Sequence, residues 1–244
     1  MKIIHNITNY VTAGDVANAQ LAVGASPTMA DDIKEVKEIT ANSDALNLNT
    51  GTLNRRKLKA MHLSSKTANR KGIPIVLDMV GAGNSYRRKV ILKLIKKYKF
   101  AVIKGNASEF RSIIKNINFC GVDAIEDLDD TETVKKFAEK FKTTALVTGK
   151  NDIITDGNKV VLIKNSTEMM KYITGAGCML SGIIAAYLAE ENSFEQVVKA
   201  VAVMAVASQL AKCDKAGTFR INLFNELFSI NDEKIKENIV YEVK

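Results

Sequence analysis

The sequence TGAGC at residues 174–178, directly before a helical pattern, contains the residue types best suited to chemistry. Glycines allow backbone N–H groups to converge, and a helix N-terminus adds partial positive charge, so such a turn can bind an anion. A Gly-x-Gly pair also occurs in tight turns that bind nothing. The segment alone leaves an anion site and a simple turn about equally open.

Cys178 ends this turn, at or near the helix N-terminus. A helix N-terminus lowers the pKa of a thiol and favours the thiolate. The functional interpretation of Cys178 is a general base or a polar contact to a substrate hydroxyl. The alternative is a small buried side chain, which is the commoner environment of a free cysteine.

Three apolar runs along the chain each end in a polar residue; these residues are Asp78, Lys104 and Thr148. Ligands of parallel sheets bind at the carboxyl ends of the strands. A lysine, carboxylates for a hard divalent cation and a helix N-terminus suit phosphoryl transfer, which depends on positioning and charge neutralisation. The chain has neither a GxxxxGK[ST] sequence nor a complete GxGxxG, which argues against a P-loop enzyme and against a dinucleotide site.

Glu109 has two interpretations. Asn106 can cap a helix that follows it, and Glu109 at the third helical position would complete a capping box. The carboxylate could instead help to hold a metal ion, but the segment alone favours the capping box. Asp78 has a similar alternative, as a cap for the next turn.

The elements that must position these residues alternate between short apolar runs and longer helical patterns. The predicted strands are Ala45–Leu48, Ile75–Asp78, Ala101–Lys104 and Ala145–Thr148. The predicted helices are Leu53 to Arg70, Tyr86 to Lys97, Ala107 to Lys115 and Thr131 to Phe141. This order predicts an α/β fold, with a central, mostly parallel sheet, helices on both faces and right-handed crossovers.

The pattern changes after Thr148. Two apolar runs on either side of Asp156-Gly157 predict a β-hairpin over residues 153–163. Two helices follow, from about Cys178 to Glu190 and from about Phe194 to Lys212, and the second is apolar on nearly all sides and should be buried. The charged tail from Asn231 onward predicts a peripheral helix or a frayed end.

The composition fits one globular domain over residues 1–244. Hydrophobic residues make up 46% and charged residues 25% of the chain, and two prolines give no sign of a linker. The three cysteines, Cys120, Cys178 and Cys213, are far apart, which argues against a zinc site and a disulfide framework. The first residues lack the apolar run of a signal peptide, and no stretch is long enough to span a bilayer, so a reducing cytoplasm is expected.

The net charge of +8 raises the possibility of a polyanionic partner. The basic residues are densest over residues 87–99, where apolar residues recur at helical spacing. This pattern favours a solvated helix face over a nucleic-acid surface.

Taken together, these segments resemble the hydroxyethylthiazole kinase family of the ribokinase-like superfamily, and the resemblance covers nearly the whole chain. It rests on HNITNYVT at 5–12, ANAQLAVGASPTMA at 17–30, ALNLNTGTL at 45–53, GIPIVLDMVGAG at 72–83, IKGNASE at 103–109, VTG at 147–149 and TGAGCML at 174–180. The resemblance implies transfer of the terminal phosphate of ATP to the hydroxyl of 4-methyl-5-(2-hydroxyethyl)thiazole, for thiamine salvage. It also implies Mg²⁺ and a homotrimer with active sites at subunit interfaces.

The resemblance also implies roles for individual residues. The implied substrate contacts are Met29, Asn9 and Gly175, and the implied ATP-binding residues are Lys104, Thr148, Ala176 and Gly177. Glu109 and Asp78 are the implied magnesium carboxylates, and Cys178 stands where related sugar kinases have an aspartate base. The backbone of residues 176–178 would form the anion hole.

Two residues depart from the family pattern. Met79 replaces the usual proline, and Lys104 replaces the usual arginine, which keeps the charge but loses the bidentate fork. The nearest rival functions are those of a pyrimidine or pyridoxal kinase or an ADP-dependent hydratase of the same superfamily, whose glycine-rich turns typically carry an aspartate where this chain has Cys178. A nucleic-acid-binding α/β protein is the rival from another class.

Overall fold

The computed structural model describes residues 1–117, 131–165 and 167–244; Cys120 lies outside the described residues. The strands are β1 (Ile3–Ile7), β2 (Ser26–Met29), β3 (Ala45–Asn49), β4 (Ile75–Asp78), β5 (Val102–Asn106), β6 (Thr144–Thr148), β7 (Asp152–Thr155), β8 (Val160–Ile163) and β9 (Tyr241–Val243). The helices are α1 (Ala13–Ala22), α2 (Val36–Ala41), α3 (Arg55–Lys71), α4 (Ser85–Lys97), α5 (Ala107–Ile114), α6 (Thr131–Phe141), α7 (Ala176–Glu190), α8 (Phe194–Leu210), α9 (Ala216–Ser229) and α10 (Asp232–Asn238), with a 3₁₀ turn at Glu168–Tyr172.

The nine strands of the described residues form one sheet in the order β2-β1-β3-β4-β5-β6-β7-β8-β9. Pairing is parallel from β2 to β6 and antiparallel from β6 to β9. The predicted mostly parallel sheet is therefore confirmed, and so is the hairpin, which is β7 and β8. The four predicted strands and the helices between them are present, with ends that differ by no more than two residues.

Helices cover both faces of the sheet because alternate side chains of the buried strands point to opposite faces. On β3, Leu46 and Leu48 join the apolar cluster that also contains Met61 of α3, whereas Ala45 joins the cluster that contains Ile183 of α7. The same alternation places Asn47 and Asn49 on the α7 face with Ala45, so this face of β3 becomes polar towards the carboxyl end of the strand.

Two of the helix predictions concern packing, and both are confirmed. The α8 helix is buried along most of its length, from Ala200 to Ser208 without a break, although it ends at Leu210 rather than at Lys212. On α4 the apolar stripe faces the core while Lys93 and Lys96 are exposed.

Three strands carry no sequence prediction: β1, β2 and β9. The short β2 contains Pro27, is only partly buried and forms one edge of the sheet, where a proline is tolerated. The tail predicted as a peripheral helix or frayed end forms α10 and then β9, which pairs with β8. No helix among the described residues has the length and apolar character needed to cross a membrane.

Candidate active site

The glycine-rich turn is the N-terminus of α7, which begins at Ala176, two residues before the predicted start. Gly175 is the N-cap residue and has a φ of +88°, in the left-handed region that favours glycine. A Cβ atom at this position would lie 2.3 Å from Cγ2 of Thr12, so the turn has no room for a side chain. The first N–H groups of α7 have no acceptor within the helix and are available to an anion.

Lys104 lies directly beneath this turn. Its Nζ atom is 3.0 Å from Oδ1 of Asp78, and both side chains are almost fully buried. A Cβ atom on Gly177 would lie 3.1 Å from the same Nζ atom, so the glycine allows the ammonium group to approach the turn. Burial is the largest single influence and acts to lower the pKa of Lys104, but the groups around the ammonium, Asp78 first among them, together outweigh it and the pKa is raised. The ammonium group is therefore a fixed positive charge at the start of α7.

Asp78 is the centre of a hydrogen-bond network on the α7 face of the sheet. Asn49, Asp78 and Lys104 are register neighbours on β3, β4 and β5. Besides the ion pair, the Asp78 carboxylate accepts hydrogen bonds from Nδ2 of Asn49 at 2.8 Å and from Oγ of Ser181 at 3.3 Å. Within the described residues no backbone N–H group donates to this carboxylate, so the alternative prediction that Asp78 caps the next turn is wrong.

The thiol of Cys178 lies at the other end of this network. Its Sγ atom accepts hydrogen bonds from Nδ2 of Asn9 at 3.2 Å and from Nδ2 of Asn49 at 3.3 Å. The expectation of a lowered pKa is wrong: burial and the charge of Asp78 raise the pKa of the thiol, and they outweigh the opposing effects of Lys104 and the two loop side chains Thr12 and Asn9. Cys178 is therefore a protonated thiol at neutral pH.

Glu109 forms the predicted capping box of α5. The Asn106 side chain accepts from the N–H group of Glu109, and Oε2 of Glu109 accepts from the N–H group of Asn106 at 2.8 Å. The other oxygen, Oε1, accepts from the N–H group of Gly81 at 2.8 Å, so the carboxylate also holds the loop after β4. Burial raises the pKa of Glu109, although the two backbone hydrogen bonds oppose the shift.

A cavity of about 720 Å³ opens beside these residues. Six of the residues implied by the resemblance line it together with Cys178 and Gly175: Asp78, Lys104, Glu109, Thr148, Ala176 and Gly177. Asp152, at the start of β7, also lines the cavity, and desolvation raises the pKa of its carboxyl group to about 6.

Two implied substrate contacts lie elsewhere. Asn9 touches the Cys178 thiol but is not part of the cavity lining. Met29 ends the edge strand β2, is 39% exposed and does not line the cavity within this chain. The structure therefore brings the implied ATP and magnesium residues together around one cavity and leaves Met29 outside its lining.

Sequence reasoning missed Asn49, which links the thiol of Cys178 to the carboxylate of Asp78. It also missed Ser181, one turn into α7, and Thr12, which lies against Gly175. A signal for Asn49 was present, because amides alternate with leucines in ALNLN, and a buried amide at the carboxyl end of a parallel strand needs a polar partner.

The donor set fits a magnesium ion that is held mainly by phosphate and water. Mg²⁺ usually takes one or two carboxylates from the protein and the remaining ligands from substrate phosphates and water. Glu109 and Asp78 are two carboxylates that line the cavity. A dedicated protein cage for a metal ion would bring three or more His, Cys, Asp or Glu side chains together. Among the described residues there is no such group.

A parallel sheet with a buried lysine, two carboxylates and a glycine-rich helix N-terminus at the ends of its strands defines a small-molecule kinase of the ribokinase-like fold. The chain belongs to the hydroxyethylthiazole kinase family, whose sequence model matches residues 1–233.

Similar sequences and structures agree with this family. Hydroxyethylthiazole kinase of Clostridium tetani is 39% identical over 96% of this chain and 90% of its own length, and that of Clostridium beijerinckii is 42% identical over 91% of this chain and 84% of its own. The solved structure of hydroxyethylthiazole kinase protein from Pyrococcus horikoshii superposes with a TM-score of 0.93, at 30% identity, over 100% of this chain and 94% of that one. Pyridoxal kinase of Staphylococcus aureus, solved with AMP-PCP and pyridoxal, shares the fold with a TM-score of 0.70 at 18% identity, over 100% of this chain and 99% of that one.

Proposed function

We propose that this chain transfers the terminal phosphate of ATP to the hydroxyl of 4-methyl-5-(2-hydroxyethyl)thiazole, giving the thiazole phosphate for thiamine salvage. The observation that carries the proposal is the Lys104 ammonium group beneath the N-terminus of α7, next to a buried thiol, in a member of this family. A fixed cation and unpaired N–H groups are what a transferring phosphoryl group requires.

In this proposal the cavity holds ATP. Lys104 and the N–H groups of Ala176 and Gly177 bind the phosphates, and Thr148 offers a hydroxyl from the end of β6. The ion pair with Asp78 keeps the Lys104 side chain in one place before ATP arrives. No reorganisation of these charges is then needed during the reaction.

Mg²⁺ is the proposed cofactor, and Glu109 and Asp78 are the residues that would hold it. When bound, the ion neutralises negative charge on the phosphates. The protein's own part is to hold both carboxylates in place, through two backbone N–H groups at Glu109 and through Lys104 and Asn49 at Asp78.

The proposed acceptor site lies on the other side of Cys178, at the ends of β1 and β3. Asn9, Gly175 and Met29 are the proposed substrate contacts there, and the Cys178 thiol contacts the reacting hydroxyl. The raised pKa supports a hydrogen-bonding thiol in the free enzyme. Cys178 as the base that takes the hydroxyl proton remains a prediction.

The proposed assembly is a homotrimer with its active sites at subunit interfaces. Three exposed apolar side chains beside the acceptor loops support it: Tyr10 at 60%, Val11 at 70% and Met29 at 39% exposure. Apolar side chains around a binding site are typical of a surface that a partner covers. Since ATP is the proposed donor, we expect the enzyme in the cytoplasm.

The proposal is tested by coupled ADP release with three alcohols side by side: hydroxyethylthiazole, hydroxymethylpyrimidine and pyridoxal. We expect magnesium-dependent turnover with the thiazole alcohol at far higher kcat/KM than with the other two. ADP release with pyridoxal or hydroxymethylpyrimidine but not with the thiazole alcohol would show that the substrate assignment is wrong.

A further inference from the structure

Lys57, on the first turn of α3, is a buried cation outside the cavity described above. Its side chain is only 1% exposed, and no carboxylate among the described residues pairs with it. Its Nζ atom donates to the backbone oxygen of Gly51 and to Oγ1 of Thr52, both at 3.2 Å, and lies 4.5 Å from the centroid of the Tyr10 ring. All of the observed partners of this ammonium group belong to loops at the ends of β1 and β3.

These contacts reach Cys178 through one further residue on each loop. On the β3 loop, the N–H group of Gly51 donates to Oδ1 of Asn49, whose Nδ2 donates to the thiol. On the β1 loop, Tyr10 follows Asn9, the other amide that donates to the thiol. The N–H group of Tyr10 also donates to Oγ1 of Thr52, so the two loops are joined at the atom that Lys57 contacts.

Thr52 shows that this junction is held under strain. Its φ of +44° lies in the left-handed region, which a β-branched residue rarely adopts. Such strain persists only where the surroundings enforce it, and it clusters at functional sites. Here the Lys57 ammonium group and the Tyr10 N–H group both bind the Thr52 hydroxyl.

A third loop joins the same cluster. The Tyr10 hydroxyl donates to Oδ2 of Asp31 at 2.6 Å, and Asp31 lies two residues after Met29. Lys57 is thus connected with the loops next to two of the proposed acceptor contacts, Asn9 and Met29. Apart from Cys178, where they end, none of the residues in these connections lines the cavity proposed for ATP.

Stability alone gives no reason for a lysine at this position, because burying an ammonium group without a carboxylate partner is unfavourable. Burial lowers the pKa of Lys57 to about 8, with Asp31 opposing the shift and Arg87 adding to it. The protein therefore keeps a destabilising charge at a place where its contacts converge on the acceptor loops.

We propose that Lys57 is a positioning residue for the acceptor alcohol, which holds the loops of Asn9, Asn49 and Met29 in place relative to the Cys178 thiol. The identity of the alcohol rests on the proposed function above, but the loop contacts do not. Lys57 acts through its neighbours and is not itself a catalytic residue.

The test compares Lys57→Met with Lys59→Met, an exposed lysine on the same helix. We expect Lys57→Met to raise KM for the alcohol roughly tenfold, in line with the loss of hydrogen bonds to a charged donor, while KM for ATP stays within about twofold. Lys59→Met should leave both constants unchanged. A merely structural lysine would lower the melting temperature without separating the two KM values.

Amide hydrogen exchange supplies a second readout that needs no substrate. Relative to Lys59→Met, Lys57→Met should exchange faster in peptides covering residues 8–12 and 50–54, with no change over residues 174–180. If the wild-type enzyme does not act on the thiazole alcohol but the loops respond in this way, the proposed function is wrong and the loop positioning stands.

The proposal is overturned if folded Lys57→Met shows an unchanged KM for the alcohol and unchanged loop exchange, or if both KM values rise equally. Should Lys57→Met fail to fold, Thr52→Val replaces it, because valine keeps the branched shape and removes the hydroxyl that Lys57 and Tyr10 bind. The same split between the two KM values is expected, and its absence in a folded Thr52→Val variant would equally overturn the proposal.

Discussion

The thiol of Cys178 occupies a position where two opposite influences meet. Burial and the nearby Asp78 carboxylate raise its pKa, whereas two amide N–H donors and the Lys104 ammonium group would stabilise a negative charge there. A carboxylate at this position would be ionised at neutral pH and would receive the same two donors. The site is therefore built to accept an anionic base even though the residue present is a weak one.

We predict that Cys178→Asp remains active, while Cys178→Ala is slower but not inactive. General-base catalysis contributes about 10²-fold or more, but positioning and charge neutralisation carry most of phosphoryl transfer. Turnover and melting temperature of both variants decide the matter. A fully active Cys178→Ala beside a destabilised and inactive Cys178→Asp would mean that Cys178 only fills space, since the new carboxylate would then be an uncompensated buried charge.

Glu109→Gln should reduce turnover by orders of magnitude, because a neutral side chain holds a divalent cation poorly. From the sequence alone, little change in melting temperature is expected. The structure revises this expectation, because both carboxylate oxygens of Glu109 accept a hydrogen bond from a backbone N–H group. In the glutamine variant the side-chain NH₂ group would point at one of these N–H groups, and the lost hydrogen bond would lower the stability by about 1–3 kcal/mol.

The control for Glu109→Gln is Asn84→Ala, which removes the N-cap of α4 and costs about 1 kcal/mol without touching a proposed magnesium ligand. Turnover measured at a temperature where both variants are folded separates the two effects. If Glu109→Gln turns over as fast as Asn84→Ala, then Glu109 is only a capping residue.

At the scale of elements, the site depends on one turn and three strands. The register places Asn49, Asp78 and Lys104 side by side on the α7 face, and α7 itself brings its N-terminus over Lys104. Gly175 sets the direction of α7 because its left-handed conformation and its contact with Thr12 exclude a side chain. The turn is therefore as important to the site as the side chains around it.

We predict that Gly175→Ala loses both stability and activity. A left-handed conformation costs an L-residue about 1–2 kcal/mol, and the new Cβ would also displace Thr12. Gly83→Ala, in the loop before α4, is the matched control, since its Cβ would meet nothing closer than Ser112 at 3.9 Å. Equal melting temperatures and equal KM values for ATP in the two variants would show that the turn tolerates a side chain.

The parallel strands could be predicted because strands buried on both faces are bare apolar runs, as in Ile75–Asp78. The edge strand β2 could not, because it is short, partly exposed and contains Pro27. The sequence also predicted that these polar residues gather at the carboxyl ends of the strands. It did not predict how neighbouring strands are aligned, so the Asp78–Lys104 ion pair appears only in the structure. The raised pKa of Cys178 was likewise hidden, because it depends on burial by distant segments.

At the scale of the whole molecule, the proposed site has two halves, one on either side of Cys178, and different strands of the sheet carry them. The strands β4 to β6 line the cavity proposed for ATP, and β1 to β3 carry the acceptor loops. The three exposed apolar side chains that support the proposed assembly, Tyr10, Val11 and Met29, lie on the acceptor half. The half of the site that a single chain leaves open is therefore the half where a second subunit is proposed.

We predict a trimer by light scattering at assay concentrations, and a weakened trimer with lower activity for Met29→Glu. The control is Val243→Glu, an apolar residue that is 62% exposed on β9, at the opposite edge of the sheet. It should leave assembly and activity unchanged. A fully active wild-type monomer would contradict a site shared between subunits.

The most direct test of the central claim is ³¹P NMR of the reaction of purified enzyme with ATP, Mg²⁺ and hydroxyethylthiazole. The account predicts a phosphomonoester signal from the thiazole phosphate that grows one-for-one with ADP and is absent without Mg²⁺. ADP that accumulates with inorganic phosphate instead, at a rate independent of the alcohol, would contradict phosphoryl transfer to this acceptor.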